Sequence, residues 1–141
     1  SMQYHPSRSW LQANRHDPAL VKHVHIPRAK ALYDRGMWAK HPYVVMHELA
    51  HAYHDQVLSF DNKEIIEAYN AAKKAGIYEK VLLYTGRTVR HYGLNNHKEY
   101  FAESTEAYLG VNDFYPFVRG ELKQHDLRMY KIMEKVWGPV R

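Results

Sequence analysis

Cysteine is absent from the 141 residues, and no apolar run approaches the length of a membrane span. The first absence excludes disulfide staples, cysteine zinc knuckles, iron–sulfur clusters and thiol catalysis. The second excludes a membrane-spanning helix. Basic runs are missing as well, since lysine and arginine are scattered and the densest groupings are Lys73-Lys74 and Arg87 with Arg90. The net charge of +5 therefore reads as the mild excess of a soluble domain, and no nucleic-acid partner is expected. No internal repeat, low-complexity stretch or signal peptide is visible.

What is present points to a folded chain. Hydrophobic residues make up 45%, with 12 Tyr, 4 Phe and 3 Trp, which argues against disorder. The length favours one domain, able to bury roughly 70% of the surface its unfolded chain exposes. Ser1-Met2 reads as a cloning scar, so a single domain is expected over residues 3–141. Histidine is the telling excess, at 11 residues, because it is the commonest metal ligand.

The pattern along the chain predicts an α+β fold, mostly helical, with a small sheet or hairpin. Ser7 or Ser9 opens a short helix reaching about Asn14, and Asp17-Pro18 starts another. Residues 21–26 alternate apolar and polar and stop at Pro27, a strand pattern. A helix over about 28–35 should end at Gly36. Val44, Val45, Leu49, Ala50, Tyr53 and Val57 recur at helical spacing, predicting one buried helix over about 42–58. A capping box at Asp61-Asn62-Lys63-Glu64 opens a helix that ends at Gly76. Two β-prone runs around Thr85-Gly86 read as a hairpin ending near Tyr92. Asn95 or Asn96 caps a helix over about 97–109, Pro116 opens another, and a last one runs over about 126–137.

The chemistry centres on His47-Glu48-Leu49-Ala50-His51. Two histidines four apart on a helix share one face, and both imidazoles can reach one Zn²⁺. Glu48 lies beside them, suited to hold and deprotonate a metal-activated water. Chance gives about 0.05 such matches in a chain of this composition. The flanking residues are apolar, so unpaired histidines there would be costly.

A catalytic zinc takes three protein ligands and keeps one position open. His54 is one candidate for the third, but beside Asp55 it reads better as a surface histidine. Val57 stands where the longer three-histidine motif needs its last histidine. Glu99-Tyr100-Phe101-Ala102-Glu103 offers a better partner. Two carboxylates stacked four apart repel each other unless a cation or donor lies between them. A metal on Glu99 and an imidazole N–H on Glu103 would resolve that conflict.

At these residues the chain resembles the gluzincin metallopeptidases, in particular the branch holding the anthrax lethal factor catalytic domain and the Pro-Pro endopeptidases. The resemblance covers roughly residues 42–110 and rests on the histidine motif, on Tyr92-Gly93, and on Glu99-Tyr-Phe-Ala-Glu103. It implies a zincin-like domain in which His47, His51 and Glu99 hold zinc and Glu48 is the general base. It further implies that Glu103 supports the site from outside and that Tyr92 donates to the developing oxyanion. A peptide or protein substrate follows, lying along the strand at 21–26 or one arm of the hairpin. The resemblance also leans toward a secreted or extracytoplasmic setting. The first forty residues hold one strand where the family builds a larger sheet, and the segment around Phe114-Tyr115-Pro116-Phe117 has no counterpart.

Two other readings compete. The helix also resembles the SprT-like DNA–protein crosslink proteases, which take their third ligand from a later histidine; His91 and His97 are the nearby substitutes. The chain could instead be a non-catalytic module stabilised by zinc, with His54 or Glu103 closing the site as a fourth ligand. The aromatic cluster Tyr108, Phe114, Tyr115 and Phe117 is expected to pack the C-terminal helix, as are Trp10, Trp38 and Trp137.

Overall fold

The computed structural model describes residues 1–141 and shows an α+β chain, mostly helical, with two small antiparallel sheets. In the first sheet β1 (Gln3–Tyr4) pairs with β2 (Val24–His25), Gln3 opposite His25 and Tyr4 opposite Val24. Between them runs α1 (Arg8–Ala13), whose cap Ser7 accepts from Trp10 N. Asp17 caps only a 3₁₀ turn at Pro18–Leu20. The strand expected over 21–26 is cut to two residues because Lys22 turns the chain with φ of 63°.

The helix expected to end at Gly36 is not formed. A 3₁₀ turn at Ala29–Leu32 comes first, and Asp34 then accepts from Met37 N to open α2 (Arg35–Lys40), with Gly36 inside it. A side-chain cap of this kind contributes about 1 kcal/mol, enough to offset one helical glycine.

The segment carrying His47 and His51 forms α3 (Val44–Tyr53), continued by a π-helical turn at His54–Leu58 instead of the single α-helix expected. In α4 (Lys63–Ala75) Asn62 is the cap, accepting from Ile65 N, and Gly76 closes the helix in the left-handed conformation at φ 69°. The hairpin forms as β3 (Val81–Leu82) against β4 (Thr88–Val89). Asn96 accepts from the amides of Lys98 and Glu99 and opens α5 (His97–Leu109). Pro116 opens no helix; its bond to Tyr115 is cis, and α6 (Arg119–His125) begins after Val118. In α7 (Leu127–Trp137) Asp126 caps Met129 N.

The core gathers around α5. Tyr100, Phe101, Ala102, Ala107 and Tyr108 pack against Ile65, Ala68 and Ala72 of α4 and Met129, Ile132 and Met133 of α7, with Ala50 of α3. Residues 100–108 of α5 are buried without exception, including Glu103, Ser104, Thr105 and Glu106. Asp126 Oδ2 accepts from the hydroxyls of Tyr78 (2.9 Å) and Tyr100 (2.5 Å), tying α5 to α7. Trp137 packs as expected, its ring 4.8 Å from that of Tyr53. Trp10 and Trp38 do not: they are 42% and 61% exposed, because neither α1 nor α2 lies under another layer. No helix is long and apolar enough to cross a membrane.

Candidate metal centre

The site forms where α3 packs on the first turns of α5. The four-residue spacing sets the His47 and His51 rings edge to face, centroids 4.7 Å apart. Asn96 fixes the Glu99 amide at 3.0 Å and so aims the Glu99 side chain across the interface. His47 Nε2 then lies 2.9 Å from Glu99 Oε2 and 3.1 Å from His51 Nε2, while His51 Nε2 lies 3.3 Å from Glu99 Oε2. Ligands of a tetrahedral ion at 2.0–2.1 Å stand about 3.3–3.4 Å apart, so this triangle has the size such an ion needs. These three buried or largely buried residues could hold a metal ion.

Behind His47 the surroundings are acidic. Its Nδ1 is 3.6 Å from Glu103 Oε1 and equally 3.6 Å from Glu106 Oε1, ion-pair distances too long for hydrogen bonds. Asp113 adds a further carboxyl, 3.3 Å from His41 Nδ1. Every ion pair these four carboxyls make is to a histidine, and Glu103 Oε2 has no partner at all. Burial acts to raise Glu99, but the hydrogen bonds to His47 and His51 outweigh it and bring its carboxyl down to about 2. Burial, then the Asp113 charge, pushes Glu103 well up, and burial with Glu103 and Asp113 pushes Glu106 up to about 11. So dense a set of buried acids is the environment a divalent cation relieves.

The triangle opens on a cleft of about 850 Å³, lined among others by Glu48, Tyr92, Phe114 and the first residues of the chain. Glu48 Oε2 accepts from the backbone N–H of Tyr4 at 2.7 Å. Tyr4 is itself fixed, its hydroxyl donating to Asp55 at 2.7 Å while Lys22 pairs with the same carboxylate. Tyr92 does not end a strand as expected. It starts a 3₁₀ turn, Tyr92–Leu94, and sits 6.5 Å from the His47 ring by centroids. Burial, then Glu99, Glu103 and Glu48, raises its phenol, which therefore stays protonated. Gly93 is needed at this turn: a Cβ there would stand 2.9 Å from His91 Nδ1 and 3.2 Å from the Tyr100 backbone.

The remaining histidines are used elsewhere. His54 is fully buried, contrary to the surface position expected, because the π-helical turn rotates it inward against Phe60 and Phe101. His91 Nδ1 accepts from Gly93 N, and His97 Nε2 bonds the Phe60 carbonyl at 2.6 Å. None of the three belongs to either group of side chains that could hold a metal ion, His47 with His51 and Glu99 or His47 with Glu103 and Glu106. The edges expected for a peptide also differ. On its second edge β3 bonds the segment at Asp113 and Tyr115, while β1, too short to read from sequence, faces the cleft with its Tyr4 N–H.

Sequence reasoning missed Tyr4, His41, Glu106 and Asp113. For Glu106 a signal existed, since Glu99, Glu103 and Glu106 follow one helical stripe at spacings of four and three. Compared with known proteins, the chain matches no family model, no curated protein and no solved structure.

Proposed function

We propose that the chain is a zinc-dependent endopeptidase of gluzincin type with a zincin-like catalytic domain. The observation that supports this best is the triangle of His47, His51 and Glu99 beside Glu48 on an open cleft. A bound Zn²⁺ would supply Lewis acidity, bringing the pKa of its water toward about 7 and polarising a scissile carbonyl.

The chain's own groups do the rest. Glu48 takes a proton from the attacking water and passes it to the leaving amine, its carboxylate held in place by Tyr4 N–H. Tyr92, protonated and on the cleft wall, donates to the oxygen that gains charge when the carbonyl is attacked. Glu103 and Glu106 flank the His47 ring on its Nδ1 side, each 3.6 Å away, where a small shift would let either accept its N–H. An extended peptide would lie beside β1, whose outer edge faces the cleft.

Neither competing reading finds its ligands. A third histidine ligand is wanting, because His91 and His97 are committed to Gly93 N and the Phe60 carbonyl. A closed four-ligand site is wanting too, because His54 packs in the core and Glu103 meets His47 on the side away from the triangle.

An unbiased peptide library incubated with the zinc-loaded chain should be cleaved, and a chelator should abolish cleavage until Zn²⁺ is restored. Metal analysis should find zinc lost in Glu99→Ala and kept in His97→Ala. A folded, zinc-loaded chain that cleaves nothing would leave the non-catalytic module standing in place of the peptidase.

A further inference from the structure

A second histidine cluster lies at the N-terminal sheet, outside the site described above. The β1 chain path continues through His5, whose N–H donates to the His23 carbonyl at 3.1 Å. In this pleat His5 and His25 share the face opposite Tyr4. After α1 the backbone turns at Arg15, with φ of 59°, and brings His16 back to the same place. The His5 ring centroid lies 5.7 Å from that of His25 and 5.9 Å from that of His16. Trp10 closes one side, stacked on His16 at 5.6 Å and 9°.

His5 is the odd member. It is 2% exposed, yet neither of its ring nitrogens has a hydrogen-bond partner. An unpaired buried imidazole is costly, and two of the three rings around it, His16 and His25, offer nitrogens of their own. Three imidazoles sharing one ion at 2.0–2.1 Å place their ring centres about 5–5.5 Å apart; His5 stands a few tenths of an ångström beyond that from each of the other two, and His16 and His25 must turn inward around it for their nitrogens to converge on one ion.

We infer that His5, His16 and His25 form a second metal site, taking a divalent transition ion of the kind imidazoles prefer, Zn²⁺, Cu²⁺ or Ni²⁺. The ligands come from β1, the loop after α1, and β2, so a bound ion ties together three segments that no regular packing layer covers. It also fixes the strand whose next residue back, Tyr4, holds Glu48. The site is independent of the peptidase reading and stands or falls separately.

Native mass spectrometry of the full chain titrated with Zn²⁺ tests this. The wild type should bind two ions, His16→Ala and His25→Ala one each, and His51→Ala one. The residual ion of His51→Ala should be lost, or weakened at least tenfold, when His16→Ala is added. These variants lie at exposed or half-buried positions, which avoids the folding risk of replacing His5. Cu²⁺ added to His51→Ala should quench Trp10 fluorescence, read against Trp10→Phe, and the quenching should vanish in His16→Ala. A wild type that binds one ion, removed by His51→Ala and untouched by His16→Ala or His25→Ala, overturns the second site and leaves the first intact.

Discussion

The backbone N–H of Tyr4 donates to Glu48 Oε2 at 2.7 Å, joining the N-terminal strand to the helix that carries both histidines. The donor is a main-chain group, so Glu48→Gln can keep this bond through its carbonyl oxygen while losing the ability to take a proton. Turnover should therefore fall by about 10³-fold or more, with zinc content and melting temperature close to wild type. Peptide cleavage and metal analysis on the same sample check it; undiminished cleavage would remove Glu48 from proton transfer.

Tyr92 presents a protonated phenol on the cleft wall, kept so by burial and by three carboxyl neighbours. Removing the hydroxyl in Tyr92→Phe should lower kcat on the order of 10²-fold with little change in KM, as expected of a donor engaged mainly in the transition state. Steady-state kinetics separate this from a packing role, which would leave kcat alone.

Acid should destabilise the fold through His54 and His91. Burial, then nearby histidines, brings each down to about 3, against roughly 6.5 in an unfolded chain. The unfolded state thus takes up protons that the folded state refuses. Their contribution to stability is full above about pH 6.5 and is lost as pH drops toward 3, each histidine by up to about 1.4 kcal/mol per pH unit, while the raised Glu103 and Glu106 act in the opposite sense. The difference between two proteins isolates the histidine part: His91→Asn, which can still accept from Gly93 N, should lose less stability than wild type between pH 7.5 and 5, read as urea midpoints at each pH. Parallel profiles for the two would contradict the assignment.

Asp126 serves three partners, accepting from Tyr78 and Tyr100 with one oxygen and from Met129 N with the other. Asp126→Ala strands two buried phenols and uncaps α7, so it should cost roughly 3–5 kcal/mol. Tyr78→Phe, which removes a single donor, should cost about 1 kcal/mol. Equilibrium denaturation measures both, and similar costs for the two would mean the carboxylate is no hub.

The parts that sequence reasoning recovers are those decided within one or two turns of chain. Asn62 and Asn96 announce α4 and α5, Gly76 announces an end, and the four-residue spacings bring His47, His51 and Glu99 onto facing helices. The parts it misses depend on distant neighbours. The sheet residues Gln3 and Tyr4 are strand only because β2 pairs with them, and His54 turns inward only because the last turn of its helix widens. Asp34 overrides the stop signal of Gly36, a contest of two local effects about equal in size. Glu106 reads as an ordinary helical glutamate until burial on every side of α5 is known.

That burial has a consequence for the life of the molecule. The rod on which the hydrophobic centre is assembled is also the rod loaded with acids, so the state of those acids bears on how long the chain stays folded. Burial and mutual proximity hold Glu103, Glu106 and Asp113 in their neutral form, and the cost of keeping those protons grows as the medium turns alkaline, loosening the middle of the protein and exposing it to degradation.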